Sequence, residues 1–449
     1  MKSRDSLANT YVTLDELISD KKIPDIVAPV YPGLGCGFFA VSFILPLILK
    51  SAAIMIAPAL CAYNARLIMS RYEQSSLMME NNLVFFLYEE EDIIRGAESN
   101  IKEKLLDFCI LKQPDVVFVV TSCLPEIVGE DIEAVVQQVR ESANTLVILI
   151  RTENFTNISS RQGVERTFEA LFDLMRFPEK KVPDSVNIIG NSAISCMNSE
   201  IIRILTKSDM KINSVIPSYN SIKVIQKAPE AEYNILLDRG CLPLAERMKY
   251  AYGIPYFLND QAFTPDEILK QYENLGTFLS KDLKKFIHSE YDALSEKIAF
   301  IRKKHSGEKA ILSMNNARIF DLAMLLELSG IHVPVVATDE MSNQDIEDAK
   351  TLFNTGRNPR VIRNASCYPL EKCLEEIKPD YYLTHSGYEQ IMCSNLNIRY
   401  YNLYPYSYLN GFERSKSLLS DIFPDTFLKP VFVQPQHHSI TWGQRYEDY

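Results

Sequence analysis

The sequence predicts an α/β fold of about three domains, each a parallel sheet flanked by helices. Three observations carry this. Near-continuous apolar runs such as VVFVVT (116–121), VNIIG (186–190) and KAILSM (309–314) recur along the chain, the pattern of strands buried on both faces. Segments of helical period separate them, as in GEDIEAVVQQVRES (129–142), and such alternation is the signature of doubly wound layers. The length of 449 residues exceeds one hydrophobic core and divides into about three domains.

Residues 1–28 read as a lead-in without chemistry. A first domain is expected over 29–180. It opens with a glycine-punctuated loop and helix (33–50), a turn at Lys50 and Ser51, and a strand at 52–57. Strands follow at 83–88, 116–121 and 145–152, with helices at 97–111 and 129–142 between them. Acidic residues in the first turn of the second helix complement its dipole. FPEKKVPD (177–184) reads as a linker. The second domain, 185–280, takes strands at 186–190, 213–217, 233–238 and 252–257, with helices at 220–228 and 242–251. A charged helix at 281–306 bridges to a third domain over 307–404. That domain takes strands at 309–314, 332–338, 360–365 and 381–385, with helices at 316–329 and 369–377. The aromatic, proline-bearing tail, 405–449, is expected to pack on another domain or a partner chain.

A net charge of −11 argues against nucleic acid or an anionic membrane as the main partner, since both require a basic face. Nine cysteines in so long a chain are too sparse for a disulfide scaffold. The polar, acidic N-terminus carries no secretory pattern, so the expected setting is the reducing cytoplasm. The apolar stretch 38–62 is long enough to span a bilayer, but Pro46, Lys50 and Pro58 interrupt it. Helix, turn and buried strand account for it better. Neither a phosphate-binding G-x-x-x-x-G-K-[ST] loop nor a G-x-G-x-x-G fingerprint occurs, so no nucleotide is expected on this chain.

In a reducing compartment, metal binding or catalysis is the better account of any functional cysteine. Cys36 sits among Gly33, Gly35 and Gly37, Cys61 follows the strand at 52–57, and Cys123 follows the strand at 116–121. Ligands of open α/β sheets bind at such strand ends. Glycines let backbone amides approach an anionic group closely. The three cysteines lie 25 and 62 residues apart, and spacing alone favours small buried hydrophobes.

The contexts PGLGCGFFAVSFILPL, IAPALCAYNAR and TSCLPEIVGEDIEAV resemble, in order and spacing, the three cysteine motifs of the nitrogenase component 1 family. That family takes in nitrogenase chains, their cofactor-assembly scaffold and the dark-operative protochlorophyllide reductase subunits. KAPEAEYNILLD, ERMKYAYGIPYF and NIRYYNLYPYSYLNGF extend the resemblance through the chain. It implies three Rossmann-like domains, with Cys36, Cys61 and Cys123 as metal ligands holding an iron–sulfur cluster. The cluster would be of the four-iron, four-sulfide type or a larger P-cluster-like kind, at the interface with a second chain. That chain, homologous or identical, would form a dimer or tetramer with this one and complete the ligand set. The resemblance also implies an ATP-dependent iron–sulfur reductase that docks near 129–133. Nucleic acid and membrane are absent from the implied partners.

Departures shape the expected function. In nitrogenase α chains a cysteine of the second domain and a histidine of the third hold the catalytic cofactor. Here Leu237 or Asp238 stands near the first position, with Cys241 displaced, and Tyr404 stands at the second. Dinitrogen reduction is therefore not expected. The reading is an electron-transfer subunit of a nitrogenase-like oxidoreductase acting on an unidentified substrate, with a non-catalytic cofactor-assembly scaffold as the alternative. An interaction module that keeps only fold and cluster is a third. Cys109 and Cys196 read as core, Cys241 as a helix-start cysteine of no special role with approach to a cavity as the alternative, and a metal site of Cys367, Cys373 and Cys393 is disfavoured. His385 reads as structural, and His437 and His438 as an exposed tail.

Overall fold

The computed structural model describes residues 11–20, 36–73, 82–143, 145–152, 160–190, 199–217, 220–314, 318–338, 341–362, 367–385 and 389–424. Gly33, Gly35, Cys196, His437 and His438 lie outside the described residues. The strands in chain order are β1 (Tyr11–Thr13), β2 (Ile48–Leu49), β3 (Ser51–Ala57), β4 (Leu83–Leu87), β5 (Val116–Thr121) and β6 (Leu146–Arg151). Then come β7 (Ser185–Ile189), β8 (Lys211–Ile216), β9 (Asn220–Ser221), β10 (Tyr233–Leu236) and β11 (Tyr256–Leu258). The last are β12 (Lys309–Ser313), β13 (His332–Ala337), β14 (Arg360–Ile362), β15 (Tyr381–Thr384) and β16 (Arg399–Asn402).

Among the described residues four sheets result, three in the orders β4-β3-β5-β6, β11-β10-β7-β8 and β1-β14-β13-β12-β15-β16 and a two-stranded β2-β9. Apart from β1, which runs antiparallel to β14, every pairing in them is parallel. The mixed α/β class with helix-flanked parallel sheets is as the apolar runs require. β3 and β5 are buried at every residue, and alternation along them separates two cores. Ala53, Met55, Val116 and Phe118 face the helices Gly37–Ile44 and Ser160–Leu171. Ile54, Ile56, Val117 and Val119 face the helices Glu98–Lys112 and Ile132–Ser142.

The apolar stretch after Cys36 resolves into the helix Gly37–Ile44, a 3-10 turn at Leu45–Leu47 that takes Pro46, and β2. Lys50 then reverses the chain with φ 58°, at the expected turn. No helix among the described residues is long and apolar enough to cross a membrane. The lead-in does carry structure, because β1 extends the third sheet through Tyr11↔Ile362 and Thr13↔Arg360. At the other end the helix Gly411–Ile422 packs on the helices Glu200–Lys207, Pro265–Leu279 and Lys284–His305. Glu200 fastens it by accepting from the amides of Phe412 (3.0 Å) and Glu413 (2.7 Å) and from the Tyr272 hydroxyl (2.8 Å).

Candidate metal centre

Cys61 and Cys123 leave the carboxyl ends of neighbouring strands. β3 and β5 pair from Ser51↔Val116 to Ile56↔Thr121, and the Ser122 amide donates to the Ile56 carbonyl at 2.9 Å. Cys123 opens the helix Cys123–Val128, and Cys61 lies in the first turn of the helix Ala59–Glu73. Cys36 is the N-cap of the helix Gly37–Ile44, with extended φ −85° and ψ 129°. Its place is set by the crossing with the helix Ser160–Leu171. There Gly163 has no room for a side chain, since a Cβ would stand 2.2 Å from the Gly37 carbonyl oxygen.

The structure brings all three sequence-predicted cysteines together. Each is partly buried and none forms a disulfide. Burial, then Cys123, then Cys36 push the Cys61 thiol up to about 11. Burial also raises the Cys36 thiol, and Cys123 adds to the rise, while the backbone amides of Phe38 and Phe39 beside it oppose the shift. The raised thiols of Cys36 and Cys61 are what a multivalent cationic group would relieve, since it binds the thiolates and displaces the protons. The Ser122 hydroxyl, buried beside Cys123, has no hydrogen-bond partner among the described residues.

These residues fit an iron–sulfur cluster by donor chemistry. Among the described residues no three His, Cys, Asp or Glu side chains converge tightly enough for a single metal ion. A cluster asks less convergence, because each thiolate binds its own iron.

Around the cysteines the surface is apolar. Leu60 and Tyr63 are each 63% exposed and Ile127 60%, with Val128 also exposed. Glu126, one turn from Cys123, is held by the Thr121 hydroxyl at 2.7 Å and by Arg151 at 3.2 Å. Sequence reasoning missed this pair, although Glu126 lies inside the TSCLPE motif that drew attention to Cys123.

The other candidates separate from the site. Cys241 is fully buried among Leu236, Leu244 and Met248, and burial pushes its thiol far above the ordinary range. Cys109 is core between the first sheet and its helices. Cys373 and Cys393 belong to a third-sheet core. Asp238 folds back to accept from the Gly240 amide at 2.6 Å. Tyr404 opens a 3-10 turn, and His385 follows β15, its imidazole pushed down to about 3 by burial and by Arg414.

A family model described as nitrogenase component 1 type oxidoreductase matches residues 36–423. The nitrogenase iron-molybdenum cofactor biosynthesis protein NifE of Methanococcus maripaludis is 25% identical over 301 residues, covering 65% of this chain and 62% of that protein. The NifE of Nostoc sp. is 24% identical over 405 residues, 87% of this chain and 83% of its own length. The nitrogenase molybdenum-iron protein alpha chain of Methanosarcina barkeri is 23% identical, covering 74% of this chain and 64% of its own. The solved structure titled "Nitrogenase Cp1 at pH 5" superposes with a TM-score of 0.66 at 18% identity, covering 91% of this chain and 94% of that one. This likeness shows the fold. With the match running from Cys36 to beyond the last strand, the chain belongs to the nitrogenase component 1 type oxidoreductase family.

Proposed function

We propose that this chain is the cluster-bearing subunit of a nitrogenase-like two-component oxidoreductase, with Cys36, Cys61 and Cys123 as its ligands to an iron–sulfur cluster. The observation that carries this is that Cys61 and Cys123 follow the carboxyl ends of the paired strands β3 and β5, with Cys36 at the start of the helix packed beside them. When bound, the cluster supplies a one-electron carrier whose potential depends on hydrogen bonds and burial. The Phe38 and Phe39 backbone amides lie beside the Cys36 sulfur and favour its thiolate. Three ligands leave a four-iron cluster one short, so a second chain of the same type completes the set. Leu60, Tyr63, Ile127 and Val128 form the apolar rim that such a chain would cover. With no nucleotide motif here, ATP acts on a separate reductase. The substrate is a small molecule of unassigned class.

A second reading, a scaffold that holds a metal-cofactor precursor and passes it on, is favoured by the names of the NifE relatives. Iron and acid-labile sulfide per chain, measured after anaerobic purification of wild type, Cys36→Ala and Cys123→Ala, test the shared premise. About two irons per chain fit one four-iron cluster between two like chains, and about four fit a cluster per chain or a larger shared one. Folded wild-type protein without iron overturns both readings. Substrate turnover with reductase and ATP then supports the oxidoreductase, whereas transfer of a cluster to an acceptor protein supports the scaffold.

A further inference from the structure

The helix Cys123–Val128, which carries the third cysteine, is only six residues long. A helix so short is not stable on its own local terms. Its N-cap, Ser122, makes no capping bond, although a serine there ordinarily accepts from the second or third amide of the helix. The third residue is Pro125, which has no N–H to offer. Tertiary bonds must therefore hold this helix, and with it Cys123.

Glu126 supplies them from inside the helix. Its side chain is 11% exposed. One carboxylate oxygen accepts from the Thr121 hydroxyl at 2.7 Å and the other from Arg151 at 3.2 Å. Thr121 and Arg151 end β5 and β6 and stand opposite each other in register. One side chain thus ties the cysteine-bearing helix to two strand ends at once. The tie reaches further, because Arg166 on the helix Ser160–Leu171 donates to the Arg151 carbonyl at 2.6 Å. Gly163 of that same helix seats Gly37, the residue after Cys36. Glu133 also approaches Arg151, at 3.8 Å, but its side chain is 57% exposed, so solvent weakens that pairing.

We propose that Glu126 is a positioning residue for the iron–sulfur cluster, fixing Cys123 against the element that seats Cys36 and lowering the potential at which the cluster accepts an electron. The assignment rests on the cluster reading under the proposed function. Glu126 places a negative charge within a helical turn of a ligand and balances Arg151. Neutralising it leaves the arginine charge in excess beside Cys123, which favours the electron-richer state. The two effects are separable. Thr121→Val removes the hydroxyl donor and keeps the carboxylate, whereas Glu126→Gln keeps the shape and removes the charge.

The test uses the full chain purified anaerobically, as wild type, Glu126→Gln, Thr121→Val and Glu133→Gln. Three quantities are read: the rate of iron loss to a chelator, the midpoint potential by redox titration of the visible absorbance, and the melting point. Expected for Glu126→Gln is iron loss about tenfold faster, the usual scale for a supporting partner of a metal ligand, with a more positive midpoint. Thr121→Val should lose iron faster at an unmoved midpoint. Glu133→Gln, exposed and outside the tie, should match wild type in both. A lower melting point of Glu126→Gln with wild-type iron loss and midpoint overturns the proposal, since a merely structural brace would give that result. An equal shift of midpoint in Glu133→Gln overturns it too. Folded wild type without iron overturns the cluster reading and this assignment together, whereas iron-loaded wild type beside an unchanged Glu126→Gln overturns this assignment alone.

Discussion

Replacing Gly163 by alanine should loosen the metal centre without touching a ligand. The added Cβ would stand 2.2 Å from the Gly37 carbonyl oxygen, 2.6 Å from the Gly37 Cα and 2.7 Å from its carbonyl carbon. All three are backbone atoms, so no side chain can swing away. Restoring even 3.0 Å, a separation that real Cβ contacts essentially never undercut, demands a shift of about 0.8 Å between the two helices. Cys36 caps the displaced helix at the residue before Gly37 and moves with it. Metal–ligand distances tolerate only about 0.2 Å. The overpacking costs about 1–3 kcal/mol, or a melting point lower by several degrees for a domain of this size. Iron and sulfide content with visible absorbance reads the site, and a thermal melt reads the fold. Gly253→Ala is the control, because its φ is +68° and nothing lies within 4 Å. It should cost about 1–2 kcal/mol of backbone strain and leave the iron content unchanged. Gly163→Ala protein with wild-type iron and melting point would refute the argument that this crossing places Cys36.

Cys241→Ala should retain iron and lose about 1–2 kcal/mol of stability as a core truncation, whereas Cys123→Ala should lose the iron, and metal analysis with denaturant unfolding separates the two. Burial pushes the Glu200 carboxyl up to about 7 from an ordinary 4.5, despite the donors it accepts from. A raised acid favours the protonated folded state, so its stability contribution is full below about pH 4.5 and is lost as the pH rises through 7. The melting point of Glu200→Gln minus that of wild type should therefore grow between pH 5.5 and 8, and a flat difference speaks against the assignment. Asp260→Asn strands Arg239, which is paired with that carboxylate in a mostly buried position. About 3 kcal/mol of destabilisation is expected by urea titration.

Much of the architecture was legible because β3, β5 and β7 are buried on both faces, and a strand so placed must be apolar throughout. The runs at 52–57, 116–121 and 186–190 could hardly be anything else. The candidate metal centre was legible only in part. The three cysteines stood out by context, but their approach depends on the Gly37–Gly163 crossing and the β3–β5 pairing, neither written in local sequence. β1 was illegible because three half-buried residues carry too little periodicity, and the edge of β14 lies almost the whole chain away. The cap of the helix Gly411–Ile422 was illegible for a related reason. An asparagine before a helix reads as a cap, and only tertiary structure shows Glu200 doing that work from 210 residues upstream.

The pairing of β1 with β14 also bears on how the chain is made. Thr13 leaves the ribosome long before Arg360, its register partner. At about 5–20 residues per second, the first strand waits roughly 20–70 seconds for its neighbour to exist. Until then it is a loose segment, and once β14 emerges the sheet margin stays open to any competing strand. The last stitch of the third sheet is thus set by residues synthesised long before their partners, and a bulky insertion just ahead of Tyr11 would act on the far side of the sequence.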